Sequence, residues 1–264
     1  MNVDIRVSNK CAFGKKTDGT AICSFCHESA KFDGEECNYS VLLSKLDFPA
    51  GIELAIGCNH FSDGLYDFVK ECTKKGYICN LTINQGHVKR DKQMLLKAIN
   101  AGYVKGLGIS YRKGMSAIPD EILKYDNFGM NVIIGIDSVQ DVLALSGTVR
   151  KIVILGEKNF GFNSGKVNTN SIKHKAWRHN FTNLLNAFEV VSFDNLGMEQ
   201  MQVKEKISKK DYDAMYQGEH SIYIDAVAGT YAASSRSFFK TSWHDMSPSE
   251  YFRNPPTMIQ LRKV

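Results

Sequence analysis

Residues 52–84 read IELAIGCNHFSDGLYDFVKECTKKGYICNLTIN, and this stretch decides the fold class. It opens on a short apolar run, residues 52–57, whose length and composition predict a buried strand. Leu65, Phe68, Val69 and Cys72 then recur at helical spacing over residues 65–75, and Gly76 stops that helix. Ile78–Asn84 (ICNLTIN) reads as the next strand. Strand, helix and strand within about 35 residues form a βαβ unit, and such a unit requires a parallel pair.

The alternation continues outward in both directions. Further strands are predicted at residues 3–7, 106–111, 131–137, 151–155 and 189–193, with helices at 91–101, 119–125, 138–145 and 174–187. Pro119 suits the first position of its helix. This rhythm predicts an α/β protein with a parallel sheet and helices outside it. About seven units are too few for a closed eight-unit barrel of ~250 residues, so a partial (β/α) barrel is expected. In such folds the chemistry sits at the C-terminal ends of the strands. Residues 1–203 are expected to form the barrel, with a cysteine loop at 8–38. Residues 204–264 are expected to be a C-terminal extension packed on it, with a helix at 209–217 and a hairpin of 221–227 with 230–235. Residues 157–171 (EKNFGFNSGKVNTNS) read as a long loop over the barrel top, of the kind that serves as a lid.

The chain has 264 residues, 43% of them hydrophobic and 23% charged, which is ordinary for a globular protein and sufficient for a sizeable core. No apolar run is long enough to span a bilayer, and the N-terminus has no apolar core of a signal peptide, so a cytoplasmic location without membrane partners is expected. The net charge of +5 is spread over the chain as solvated Lys and Arg, leaving only a weak general attraction to phosphate-bearing substrates.

Seven cysteines occur, at 11, 23, 26, 37, 58, 72 and 79. An odd number in a chain of this size does not suggest a disulfide framework; metal binding or redox chemistry is the expectation. Cys23-Ser24-Phe25-Cys26 is a C-x2-C pair, which suits zinc, an iron–sulfur cluster or a dithiol. Cys11 follows the first strand, and the polar, glycine-containing stretch between it and Cys23 can fold back to bring a third thiolate to the pair. A structural zinc site wants four closed ligands. Three thiolates leave one iron of a 4Fe–4S cluster open to a small molecule.

The stretch CSFCHESAKFDGEEC, residues 23–37, resembles the cluster loop of the radical S-adenosylmethionine enzymes. That family carries C-x3-C-x2-C directly after its first strand, with an aromatic residue before the last cysteine. Phe25 stands in that place, His27 replaces the usual aromatic residue that follows, and the first gap is eleven residues where the family has three. The resemblance implies a radical SAM partial barrel in which Cys11, Cys23 and Cys26 hold a 4Fe–4S cluster, with Cys37 as the alternative to Cys11. It implies S-adenosyl-L-methionine as cofactor, cleaved reductively to a 5′-deoxyadenosyl radical that takes hydrogen from a substrate. An external electron donor such as flavodoxin or ferredoxin is implied as partner, beside a small-molecule, nucleotide or peptide substrate.

Further residues follow from the same resemblance. Gly57-Cys58-Asn59 stands where the family has its Gly-Gly-Glu-like motif, so backbone carbonyls and the Asn59 amide would hold the cofactor's amino group. Thr82 and Asn84 point to one side of their strand at period two, and polar residues on one face of a central strand are unusual unless they line a cavity. Ser110 is placed similarly at the end of the next strand. Ile134 and Gly135 stand where the family lays backbone against adenine. Asp194, Asn195 and Asp225 are expected to face the substrate, with Ser234, Ser235 and Arg236 near them. Two other readings remain: a zinc-binding barrel protein in which Cys37 or His27 completes a four-ligand site, hydrolytic or non-enzymatic, and, last, a nucleic-acid-binding module.

Overall fold

The computed structural model describes residues 2–215, 221–235, 237 and 239–253. In chain order the elements begin with β1 (Asn2–Arg6), β2 (Lys10–Lys15), α1 (Tyr39–Lys45), β3 (Glu53–Cys58), α2 (Asp63–Lys74) and β4 (Ile78–Asn84). The middle of the chain forms α3 (Gln85–Asn100), β5 (Gly106–Ser110), α4 (Asp120–Leu123), β6 (Phe128–Ile133), α5 (Val139–Leu143) and β7 (Lys151–Leu155). Then come α6 (Ile172–His179), α7 (Phe181–Ala187), β8 (Val190–Phe193) and α8 (Asn195–Gln200), and finally α9 (Lys209–Met215), β9 (Ser221–Asp225), β10 (Thr230–Ala232), β11 (Thr241–Ser242) and α10 (Pro248–Arg253). No helix among the described residues is long and apolar enough to cross a membrane.

The sheet runs in the order β11-β10-β9-β1-β3-β4-β5-β6-β7-β8. From β9 to β8 every neighbour pair is parallel; only β10 and β11 run antiparallel, at the edge. The α/β class with a mostly parallel sheet therefore holds. The C-terminal segment is joined more intimately than packing alone: β9 pairs in register with β1, so Asp225 lies beside Arg6 and Tyr223 beside Asp4.

Local chemistry explains where the elements depart from the sequence expectation. Strand β2 replaces the polar loop expected after Cys11. Helix α3 starts six residues before the expected 91, because the Asn84 side chain accepts a hydrogen bond from Gly86 N at 2.9 Å and caps it there. The helix expected over 174–187 is two, broken at Asn180, whose amide donates back to Ala176 O at 2.9 Å and competes with the backbone pattern. The strand expected at 131–137 is shifted to Phe128–Ile133. Asp137 Oδ2 accepts from Ile133 N at 2.7 Å, and Gly135 turns the chain with φ of +79°. Pro119 precedes α4 instead of opening it.

The two sheet faces differ. One carries Val3, Ile5, Leu54, Ile56, Cys79, Leu81, Ile83, Leu107, Ile109, Met130, Ile152 and Ile154, all buried in a continuous core. Alternation puts the partners of these residues on the other face. There, one register row runs Asp225, Arg6, Gly57, Thr82, Gly108, Gly129, and another runs Asn84, Ser110, Asn131, Val153, Ser192. A parallel sheet normally buries apolar residues on both faces. Most of this second face stays partly exposed, Asp4 and Gly57 most of all, so it borders open space, the lumen.

The sheet also curls. Lys158, just beyond β7, donates to Ser235 Oγ, just beyond β10, at 3.2 Å. Those strands are seven intervals apart in the sheet, roughly 34 Å if it were flat. The lumen face is therefore concave, and the loops beyond β7 and β10 meet across the C-terminal ends of the strands.

Candidate functional site

Residues 8–38 arch over this mouth. Strand β2 lies alongside Lys31 through isolated bridges from Lys10 and Lys15. Cys11 is buried, with its Sγ 3.5 Å from His87 Nε2 near the start of α3. Two residues on, Phe13 stacks on the same imidazole at 4.5 Å between ring centres. Cys23 N donates to Phe13 O, and Cys26 N donates to Cys23 O, so a tight turn folds the C-x2-C pair back onto β2.

The three thiols lie within electrostatic reach of one another. Burial, followed by the neighbouring Cys23 and Cys26, pushes the Cys11 thiol up to about 11. Burial also raises Cys23, which Cys26 raises further and the Arg112 guanidinium opposes. Arg112 lies over the Phe25 ring with Cζ 4.6 Å from its centre, donates to Tyr111 O, and stands 3.9 Å from Asp137 Oδ2, while its buried Nε has no hydrogen-bond partner. Asp137, desolvated by burial, is raised to about 6. Among the described residues, no three Cys, His, Asp or Glu side chains are gathered as ligands of one metal ion. The thiols are thus neighbours without converging on a single point.

Cys37 is not part of this group. It lies in the hydrophobic core, its N–H bonded to Val7 O. His27 is also turned elsewhere: its Nε2 lies 2.9 Å from Glu28 Oε1 and 3.4 Å from Lys158 Nζ.

An ionic clasp ties the cysteine loop to the sheet. Arg6 at the end of β1 reaches Glu28 Oε2 at 2.8 Å, Glu28 O at 3.0 Å and Asp225 Oδ2 at 3.0 Å. Tyr223 OH stands 3.5 Å from the same Glu28 carboxylate. One guanidinium thereby joins the loop, β1 and β9. Breaking a buried pair by removing one partner leaves an uncompensated charge, which is what makes such a clasp hold.

The 157–171 loop closes over the cysteine loop. Phe162 N donates to Cys26 O at 3.0 Å and Lys166 Nζ to Ser24 O at 3.3 Å. Gly161 has φ of +64°, and a Cβ there would stand 2.3 Å from His27 O, so only glycine permits this approach. Beneath the contact is a cavity of about 80 Å³ lined by Phe25, His27, Ile133, Gly156, Lys158 and Asp194, among others.

The residues singled out in the sequence separate into three groups. Gly57, Thr82 and Ser110 lie on the lumen face, and a Cβ on Gly57 would meet only Ile5 O at 3.8 Å, so the lumen is open there. Others have structural duties. Asn84 caps α3. Asp194 caps α8 by accepting from Gly197 N and also accepts from Gly156 N. Asp225 belongs to the clasp and accepts from Ala228 N. Asn195 is half-buried at the first turn of α8. Cys58 and Ile134 turn their side chains into the core, leaving only backbone for a ligand, and the Asn59 carbonyl is taken by Arg90. Gly135 packs against His174 and Glu157. Arg236 lies outside the described residues.

Sequence reading missed Asp4, Arg6, Glu28, Arg112, Asn131 and Lys158. Asp4 stands on the lumen face, accessible to water, raised by desolvation, lowered by Lys158 and raised by Asp194 across the mouth. Its signal was visible as charge alternating with Val3 and Ile5 in a predicted strand. Nothing in the local sequence marks Arg6 for Asp225, 219 residues away.

No family model matches the chain, and no curated protein matches it at the threshold applied.

Proposed function

We propose that this chain is a radical S-adenosylmethionine enzyme on a partial (β/α) barrel, with a 4Fe–4S cluster held by Cys11, Cys23 and Cys26. The observation that carries the reading is the meeting of one thiol from β2 with two from the following turn, over the C-terminal mouth of a parallel sheet whose concave face is polar. Curling and parallel pairing from β9 to β8 support the barrel.

The donor set fits a cluster better than one ion. A single zinc would draw its sulfurs to about 3.8 Å from one another, given Zn–S bonds of about 2.3 Å in a tetrahedron. A cubane instead asks each of three thiolates to bind a separate iron and leaves the fourth iron open, which needs only the three thiols that meet here. Cys37 in the core and His27 on Glu28 are both turned away from the thiols, which counts against the four-ligand zinc sites that either would complete.

When bound, the cluster and S-adenosylmethionine would supply one-electron reductive chemistry, with the electron delivered by an external donor of the flavodoxin or ferredoxin kind. The chain's own residues do the rest. Arg6, Glu28 and Asp225 hold the cysteine loop at the mouth. Arg112 sets positive charge beside Cys23 and favours its thiolate form. Gly57, Thr82, Ser110 and Asn131 offer a polar wall for the cofactor. Residues 157–171, docked on Cys26, exclude water and oxygen from the site.

The test is anaerobic reconstitution with iron and sulfide. Brown protein with close to four of each per chain, releasing methionine and 5′-deoxyadenosine under dithionite, is expected. Cys11→Ala, Cys23→Ala and Cys26→Ala each abolish both properties, and Cys37→Ala keeps them. A colourless protein holding one zinc, or a full cluster in Cys11→Ala, overturns the assignment.

A further inference from the structure

A second and larger space adjoins the cavity under the cysteine loop. It is a cleft of about 700 Å³, bounded by Glu157, Asn159, Phe160, Thr169, Gln200 and Ser235, among others. Glu157 lines both spaces, so the cleft adjoins the cavity at that residue. Its volume falls within the range of sites for small organic ligands and cofactors.

Glu157 is held rigidly. Gln200 brackets its backbone, accepting from its N–H at 2.8 Å and donating to its carbonyl at 2.9 Å. Asn163 Nδ2 donates to its Oε1 at 3.1 Å, and His174 Nε2 faces its Oε2 at 3.4 Å without an aligned hydrogen bond. Each carboxylate oxygen can accept more than one hydrogen bond, so this fixed group can still take an N–H donor beside Asn163. Opposite in character, Asn159 spends its Oδ1 on Gly165 N at 2.8 Å and keeps its NH2 as a donor. Phe160 supplies a flat apolar wall, fixed edge-on by His27 at 5.5 Å. The hydroxyls of Thr169 and Ser235 complete the lining, and the Lys158 ammonium stands at the margin, 3.2 Å from Ser235 Oγ.

A flat face, a rigid acceptor, an amide donor and hydroxyls are what a nucleobase with its ribose demands: stacking on an aromatic ring and hydrogen bonds along the base edge. We infer that this cleft is the substrate site and that it takes a nucleoside, or a nucleotide whose phosphate reaches Lys158 beside Ser235, with the base against Phe160 and its N–H edge on Glu157. Only the word substrate rests on the reading of the thiol centre; the binding site stands on the cleft alone.

The experiment is equilibrium binding to the purified full chain by calorimetry, with iron and sulfide measured on the same samples. Probes are adenosine, guanosine, cytidine, uridine and their 5′-monophosphates, with ribose 5-phosphate and the tripeptide Gly-Ala-Gly as controls. Each titration is run without and with an excess of S-adenosyl-L-homocysteine, which occupies any cofactor site. At least one nucleoside binds saturably, and neither control does. Phe160→Leu weakens that binding roughly tenfold, as loss of base stacking should. Asn159→Asp, which keeps the acceptor for Gly165 N and loses the NH2 donor, weakens it about threefold. Binding of the tripeptide alone, binding of no probe, competition by S-adenosyl-L-homocysteine, or unchanged affinity in Phe160→Leu overturns the inference. Protein that stays iron-free after anaerobic reconstitution with iron and sulfide and still binds the nucleoside overturns the cluster and leaves the cleft intact.

Discussion

Strand β4 presents two surfaces that obey different rules. Cys79, Leu81 and Ile83 are all but inaccessible, closed under α2 and α3. Asn80, Thr82 and Asn84, alternating with them, are half-buried and polar. In β1, β3 and β5 the second face is likewise the more exposed, though Ala55, Gly57, Gly106 and Gly108 stand there among the polar residues. One face contributes stability, because burying apolar area there is strongly favourable. The other is kept hydrophilic at some expense of stability, and a parallel sheet maintains that only when the space beside it is used. Stability and chemistry are thereby separated by a single residue step along each strand.

The largest effect that could break this contrast comes from the apolar face. Leu81 is 1% exposed in the middle of the central strand. Leu81→Ala should lower unfolding free energy by about 2–5 kcal/mol, through lost transfer energy and an unfilled cavity. Denaturant titration measures it. A loss below about 1 kcal/mol would mean that the covered face is loosely packed and the division of labour is not real.

The rim between the two faces gives a smaller and pH-dependent effect. Asp137 titrates near 6, raised by burial from an ordinary 3.8. A raised carboxylate means that the folded state holds the proton more tightly than the unfolded one. Its favourable contribution is therefore complete below pH 3.8 and is lost as pH climbs through 6. Asp137→Asn removes that dependence, so between pH 4 and pH 7 the variant should gain up to about 3 kcal/mol relative to the parent. Parallel unfolding curves at the two pH values check the sign, and a variant that loses ground on raising pH contradicts it.

The legible part of the molecule follows the same division. The covered face was readable because apolar residues at period two, followed by apolar residues at helical spacing, leave a strong one-dimensional signal. Thr82 and Ser110 were readable as polar interruptions of that signal, and Gly57 by its place after the second strand. What escaped depends on contacts distant in sequence. Arg6 looks like any charged strand end until β9 brings Asp225 beside it. Lys158 lies in a loop whose composition says only that it is a loop, yet it bridges to Ser235. Asp194 and Asn84 were read as ligand-facing because Asp and Asn at strand ends can bind substrates, but here the same side chains cap the helices that follow. Strand β2 was hidden because Lys10–Lys15 alternates only weakly and pairs through isolated bridges.

The smallest expected effect is the sharpest test of the contrast. Thr82 sits one residue from Leu81 but on the lumen side, its Oγ1 beside Gly108, where an added Cβ would stand 3.1 Å away. Removing that hydroxyl leaves no buried cavity, since the side chain borders open space, so Thr82→Ala should change unfolding free energy by no more than about 0.5 kcal/mol. If the polar row serves a bound cofactor, the same substitution removes one hydrogen-bonding group from it. Affinity for S-adenosyl-L-homocysteine should then fall roughly three- to tenfold. Stability and affinity moving independently at Thr82, against stability alone at Leu81, would establish that one strand carries two functions on its two faces. A stability loss at Thr82 as large as that at Leu81 would instead make the polar row an ordinary part of the core, with the lumen contributing nothing of its own.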